Sequence, residues 1–304
     1  MSTSIEPGRK PEIREHRHQG FRYESRQRRS NSPSLAPVVL VGGGFQRKES
    51  WGRVEEGMLS VADVIATDLP GWGAADTLPA AYGADTLAGS LERMLDDLGT
   101  GPVNLLASSY GSSIAYRLAQ TRPDLVQRMI LVGVMCTVPE RHRALFAHLA
   151  DLMEKGDLER FTEIFLDTVM PPETSADVLA AKTVRRLLTR LLTSTGASEA
   201  AKFITNTRRL LRGRVVDTGA GPTVPTLVAT GEHDILTTPG HCRELATTCP
   251  QSWYVEVRRA DHMIHLERPD AMVDLMTRFY SDDLIKALPY ASTIEDLRAV
   301  PVGR

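Results

Sequence analysis

The chain has 304 residues, with 36 Lys+Arg against 38 Asp+Glu, 42% hydrophobic and 24% charged residues, and a formal charge of −2; this excludes wholesale disorder and speaks against a nucleic-acid binder, which normally carries a strong basic excess. The longest apolar run, residues 129–136, is far short of a membrane span, and the first twenty residues lack the apolar segment of a secretory signal. Three cysteines (Cys136, Cys242, Cys249) make no disulfide framework, so reduced thiols and a cytoplasmic location are expected, and thirty Arg against six Lys is the bias of a high-GC bacterial genome.

Residues 1–36 hold eight basic and four acidic residues. Residues 1–19 read as a basic, flexible N-terminal arm, followed by an edge strand over 20–25. From Pro37 short apolar runs alternate with helical patterns. Strands are expected at 38–41, 61–67, 103–108, 129–134, 226–231 and 253–257, each ending at Gly, Pro, Ser or Asp. Such continuous apolar runs suit parallel strands buried on both faces. Between them, Leu87, Leu91, Met94, Leu95 and Leu98 form one helical stripe, Ile114 and Leu118 a second, and Met272, Met276 and Phe279 a third. This alternation predicts a mostly parallel, doubly wound α/β sheet.

The alternation breaks over 137–218. No strand signal occurs there, and four helices are expected near 141–155, 158–168, 176–193 and 199–212, separated by Pro171-Pro172 and Ser194–Gly196. An insertion of this kind between two parallel strands covers the sheet's carboxyl edge as a cap. The expected organisation is therefore a core of 20–136 and 219–281, a helical cap of 137–218, and a C-terminal tail of 282–304.

Residues 105–119 (LLASSYGSSIAYRLA) carry a strand into a helix through Ala107-Ser108-Ser109-Tyr110-Gly111. A sharp strand-to-helix turn presents one nucleophile on strained backbone and needs small residues two positions to either side. Ser109 has Ala107 and Gly111 there. Ser108 has Leu106 and Tyr110, Ser112 has Tyr110 and Ile114, and Ser113 lies inside the helix. A serine hydroxyl needs an imidazole to take its proton, and the imidazole needs a carboxylate on its other nitrogen. Asp234, in the GEHD segment after one strand, and His262, in the DHMIHLERP segment after the next, complete the order Ser109, Asp234, His262. His233 and Asp261 are the neighbouring competitors; His265 and Glu267 are expected to pack or cap the following helix, and Cys242 and Cys249 to be idle thiols.

With these motifs in place, residues 37–280 resemble the α/β-hydrolase superfamily with a helical cap. The GEHD and DHMIHLERP segments resemble its acid and histidine loops, and DLPGWG (68–73) resembles its D-x-x-G-x-G loop. Serine at the turn sets the chain apart from the haloalkane dehalogenases and epoxide hydrolases of that superfamily, which use aspartate. The resemblance implies an oxyanion hole formed by the N–H of Tyr110 and a donor from the loop Gly42-Gly43-Gly44-Phe45-Gln46, with Gly44 the assigned donor and Phe45 the runner-up. The family's usual histidine is replaced by Gly42.

The expected function is a serine esterase or thioesterase that needs neither cofactor nor metal. An acyltransferase is the alternative, and a triad-bearing ligand receptor or a lyase are further readings. The expected partner is a small-molecule acyl substrate. Thirteen basic against ten acidic residues over 137–215, with the basic N-terminal segment, also suggest an acyl carrier protein or CoA thioester; no nucleic-acid or membrane partner is expected. Apolar cap residues (Leu145, Phe146, Leu149, Leu152, Met153, Phe161, Phe165, Leu166, Met170) either line a pocket or pack the cap helices together.

Overall fold

The computed structural model describes residues 10–172, 177–283 and 285–298. Nine strands form one sheet: β1 (Glu12–His18), β2 (Phe21–Arg28), β3 (Val38–Val41), β4 (Val64–Asp68), β5 (Val103–Ser108), β6 (Val126–Val132), β7 (Thr226–Gly231), β8 (Ser252–Val257) and β9 (Ala291–Asp296). Their spatial order is β1-β2-β4-β3-β5-β6-β7-β8-β9. The six strands β4, β3, β5, β6, β7 and β8 pair in parallel, and β1, β2 and β9 close the two edges antiparallel.

The helices are α1 (Gly52–Met58), α2 (Ala84–Leu98), α3 (Tyr110–Thr121), α4 (Glu140–Lys155), α5 (Leu158–Val169), α6 (Ala181–Thr193), α7 (Ala197–Leu210), α8 (Pro239–Ala246), α9 (Ile264–Glu267) and α10 (Pro269–Tyr280). Strand side chains alternate between two apolar layers. Val39, Val41, Leu105 and Ala107 face α2, α3 and α8, where Leu87, Leu91, Met94, Ile114, Leu118 and Leu245 are buried. Val38, Leu40 and Leu106 face α1 and α10, where Val54, Met58, Met272, Leu275, Met276 and Phe279 are buried. Each fully buried Leu or Met on these stripes contributes roughly 2 kcal/mol, so the sheet is fixed from both faces and its carboxyl edge becomes a rigid platform.

Between β6 and β7 the chain leaves the sheet for α4–α7, which enclose an apolar cluster of their own built on Leu149, Phe161, Leu166, Val169, Val184 and Leu192. The expected helix start at 176 lies outside the described residues; α6 begins at Ala181. Side chains of α7 tie this cap to the core. Lys202 Nζ donates to the Gly73 carbonyl, Asn206 Nδ2 to the Gly71 carbonyl (2.9 Å), and Arg209 to the carbonyls of Leu78 and Tyr82 (2.6 Å each).

Two boundaries are corrected. Residues 1–9 of the expected arm lie outside the described residues, but 12–18 form β1, the outermost strand. It hairpins onto β2 through Gln19 and Gly20, both at positive φ (48° and 86°), which matches the twist of a two-residue turn. His16, buried on this strand, bridges Ser25 Oγ (2.8 Å) and Asp97 (3.1 Å). The expected tail of 282–304 contains β9, which pairs with β8, and Ile285 and Leu288 are buried against α10's layer; residues 284 and 299–304 lie outside the described residues. Among the described residues, no helix is long and apolar enough to cross a membrane.

Candidate active site

Strand β5 ends at Ser108 and α3 begins at Tyr110, so Ser109 alone makes the turn, at φ 50° and ψ −118°. A left-handed φ is strained for a residue with a Cβ, by about 1–3 kcal/mol. The surroundings hold it there. The Ser109 N–H donates to the Val132 carbonyl (2.7 Å), and the Ser112 hydroxyl bonds the carbonyls of Ala107 (3.0 Å) and Val132 (3.2 Å). The requirement for small neighbours has a visible cause: a Cβ on Gly111 would lie 2.6 Å from the carbonyl oxygens of Val41 and Gly42. The competing serines are placed elsewhere. Ser108 is buried at the strand's end, Ser112 braces the turn, and the Ser113 hydroxyl donates to the Tyr110 carbonyl (2.8 Å).

The loop after β7 carries Asp234 and the loop after β8 carries His262, so both reach the edge on which Ser109 sits. His262 Nε2 lies 3.1 Å from Ser109 Oγ, and His262 Nδ1 lies 2.8 Å from Asp234 Oδ2. Asp234 is buried and fully engaged. Its Oδ1 accepts the N–H groups of Leu236 (2.9 Å) and Thr237 (2.8 Å), and its Oδ2 accepts the Thr237 hydroxyl (2.7 Å) as well as the imidazole. Burial opposes ionisation of this carboxyl, but the charge and hydrogen bond of His262 and the donors of Thr237 hold its pKa below the ordinary value. For His262 burial again disfavours charge, yet Asp234 and then Asp261 raise its pKa above 6.5. Gly133, just past β6, sits under the ring: at φ 59°, a Cβ there would lie 3.0 Å from His262 Cε1.

The other titratable candidates are not joined to Ser109. His233 pairs with Glu232 (3.4 Å), and Asp261 accepts the Met263 N–H (2.8 Å) instead of binding the imidazole. Glu267 accepts the Asp261 N–H (2.8 Å), closing the histidine loop. Burial, with Asp261 beside it, raises the Glu267 carboxyl far above the carboxylate range. Cys242 Sγ is enclosed by backbone groups of Val134 and Thr237, and burial pushes its thiol up to about 12, as it does for Cys249.

Of the glycine loop, Gly42 and Gly43 are required by close approach. A Cβ would meet Gln46 Cβ at 2.8 Å from Gly42, or Ser109 Cβ at 2.9 Å from Gly43; a Cβ on Gly44 would meet nothing. The Gly43 N–H is spent on Gln46 Oε1 (2.6 Å). The N–H groups of Gly44 and Phe45 meet no acceptor among the described residues, and the Tyr110 N–H, in the first turn of α3, has no intrahelical partner. Phe45 itself adopts φ 60° and stacks on Phe203, with ring centroids 4.9 Å apart. In the DLPGWG loop, buried Asp68 accepts the N–H groups of Lys48 (2.7 Å) and Ala74 (2.9 Å), and Trp72 Nε1 donates to the Gly43 carbonyl (2.8 Å).

A cavity of about 400 Å³ opens above Ser109 between the sheet edge and the cap, within the usual range for small-molecule sites. Ser109, His262, Gly44 and Phe45 line its floor. Of the cap residues singled out from the sequence, Phe146, Leu149 and Phe165 line it, whereas Leu152, Met153, Phe161, Leu166 and Met170 pack the cap interior. Leu187, Leu188, Leu191, Phe203 and Leu210 also line it and were not anticipated. None of the described residues of the basic N-terminal segment (10–36) lines it.

A sequence profile described as the alpha/beta hydrolase fold matches residues 36–269. The chain belongs to the α/β-hydrolase family. It is 24% identical over 245 residues to (E)-2-((N-methylformamido)methylene)succinate hydrolase of Acinetobacter baylyi, spanning 79% of this chain and 88% of that protein. It is 24% identical over 260 residues to the sn-1-specific diacylglycerol lipase ABHD11 of Mus musculus, spanning 81% of each. Among solved structures, MGS-M2, an α/β hydrolase from a Medee basin deep-sea metagenome library, superposes with a TM-score of 0.78 at 17% identity, covering 90% of this chain and 99% of the other. Within this α/β-hydrolase, Thr237, Gly133 and Gln46 are the site residues that the sequence reading did not single out. Gly133 follows a strand at the same edge as the triad, a position that could have flagged it.

Proposed function

We propose that this α/β-hydrolase is a serine-dependent acyl hydrolase, an esterase or thioesterase acting on substrates with an apolar acyl group. The observation that carries the reading is the unbroken chain Asp234–His262–Ser109, at 2.8 and 3.1 Å, beneath an apolar cavity. With Nδ1–H donating to Asp234, Nε2 is the acceptor that takes the Ser109 proton as Oγ attacks the acyl carbonyl. The N–H groups of Tyr110 and Gly44 receive the oxyanion; each such donor is worth about 3–4 kcal/mol at the transition state. His262 then protonates the leaving alcohol or thiol, and Ser109 is left as an acyl ester. Water, deprotonated by Nε2, attacks this ester, and His262 returns that proton to Ser109 Oγ as the acyl–oxygen bond breaks and the acid leaves. The two relatives named above, a succinate-derivative hydrolase and a diacylglycerol lipase, support hydrolysis.

A second reading, transfer from an acyl carrier or CoA thioester to an alcohol or amine, is favoured by one feature. Helix α6 carries exposed Arg186 and Arg190 and no acidic residue, with Arg185 paired to Asp167 of α5 (3.1 Å), and its Leu187 and Leu191 are exposed while lining the cavity. An anionic donor would meet cations there. A panel of p-nitrophenyl esters and acyl thioesters, assayed with and without acceptor alcohols and amines, tests both. Hydrolysis of medium-chain esters that disappears in Ser109→Ala is the expected result. Acylated acceptor in place of free acid would establish transfer, and turnover persisting in Ser109→Ala would refute both.

A further inference from the structure

The family's histidine before the oxyanion loop is Gly42 here, and no side chain could occupy that point, because Gln46 Cβ and its carbonyl fill the space at 2.8 and 3.2 Å. Gln46 spends its amide at both ends inside the protein. Its Oε1 accepts the Gly43 N–H at 2.6 Å, and its Nε2 donates to His265 Nε2 at 3.0 Å. His265 must therefore be an acceptor at Nε2 and carry its proton on Nδ1. Burial, with the charge of His262 behind it, holds the His265 pKa down to about 4, so the ring stays neutral.

The opposite side of the same backbone is also held. Trp72 Nε1 donates to the Gly43 carbonyl at 2.8 Å, and the Gln46 N–H reaches that oxygen at 3.2 Å. This carbonyl shares its peptide group with the Gly44 N–H. A planar trans peptide directs C=O and N–H to opposite sides, so fixing one aims the other. The adjoining backbone packs directly on the nucleophile, with a Gly43 Cβ position only 2.9 Å from Ser109 Cβ.

We infer that Trp72 and the Gln46–His265 pair are positioning residues for the oxyanion hole: together they hold the Gly43–Gly44 peptide so that the Gly44 N–H faces the acyl oxygen on Ser109, the task that falls to them in a loop of three glycines without the family histidine. The inference rests on the proposed acyl-enzyme at Ser109.

Trp72→Phe removes the indole N–H and keeps an aromatic ring beside Tyr110, whose ring lies 5.1 Å away. Gln46→Met keeps the length and removes both side-chain bonds. Each variant is expected to lower kcat about 10–100-fold with KM within about threefold, a fraction of the 10²–10³-fold that loss of a whole donor brings. Affinity for a trifluoromethyl ketone, whose hemiketal oxyanion occupies the hole, should fall by the same factor as kcat/KM, while inhibition by the free acid product and the melting temperature stay near those of the parent. The double variant should lose less than the product of the two single losses, because both bonds act on one peptide. A kcat within twofold of the parent in both variants, or unchanged trifluoromethyl ketone affinity, would overturn the inference while leaving the acyl-enzyme standing. A parent whose activity does not depend on Ser109 would remove the foundation of both.

Discussion

At the carboxyl edge of the sheet, Asp234 receives four hydrogen bonds, Ser109 is locked at a strained turn by three more, and Gly133 leaves only enough room for the imidazole. Across the cavity, Phe165 and Phe203 of the cap, with Phe161 packed behind them, meet Phe45 of the floor through ring contacts with centroids 4.9–6.3 Å apart, and leucines of α6 and α7 complete the wall. The first region is set by backbone conformation and directional bonds, the second by packing that other apolar side chains can reproduce. The proposed chemistry and the shape of the cavity are thereby separable. Substitutions at the edge should change kcat with little change in selectivity, and substitutions in the cap should do the reverse.

The sharpest break falls on the relay. Ser109→Ala and His262→Ala should each lower kcat by roughly 10⁵–10⁶-fold, with the double variant no worse, because the pair acts as a unit; steady-state kinetics on a medium-chain ester, with melting temperature as the control, reads this out. Asp234→Asn should cost about 10⁴-fold and also move the pH profile. His262 must be neutral to act as base, and its raised pKa places the acid limb of kcat/KM above pH 6.5 in the parent. Without the Asp234 charge, burial is opposed only by Asp261, so the residual limb should shift to lower pH. A limb that stays in place would detach His262 from the proton transfer.

Gly133→Ala probes the edge without touching a polar group. Its Cβ would press on His262 and sit at a left-handed φ, at a strain of roughly 1–2 kcal/mol. A loss of kcat of about 10–100-fold with KM little altered is expected. In the cap, Leu188→Ala or Phe203→Ala should leave kcat for the best substrate within about threefold, raise KM for short acyl esters several-fold, and move the preference toward longer chains. An equal loss of kcat on every ester would contradict the separation. The smallest effect concerns stability. Glu267 stays protonated when folded and ionises when unfolded, so the folded state binds one more proton above the carboxylate range and stability falls as pH rises, by up to about 1.4 kcal/mol per unit. Glu267→Gln should flatten that slope, measured as urea-unfolding midpoints from pH 5 to 8.

What could be read from the sequence follows the same division. Ser109 was legible because the steric demand at Ala107 and Gly111 is local, and Asp234 and His262 because each follows its own strand. The parallel strands were legible as apolar runs. Strand β1 was not: EIREHRH carries one apolar residue, and the strand is held by its ladder to β2 and by His16 instead of by an apolar face. The Gln46–His265 contact joins residues 219 positions apart, and no spacing rule announces it. In α6 the leucines come as two adjacent pairs, so a helical stripe alone could not separate Val184, buried in the cap interior, or buried Leu192 from the exposed Leu187 and Leu191, although all three leucines line the cavity.

The central claim, an acyl-enzyme on Ser109, is met most directly by rapid mixing with a p-nitrophenyl ester of an apolar acid, followed by acid quench and peptide mapping. A burst of about one equivalent of p-nitrophenolate per chain, with the acyl group on the peptide bearing Ser109 and both absent in Ser109→Ala, is the expected result. An adduct on Ser108, Ser112 or Ser113, or a burst that survives in Ser109→Ala, would contradict it.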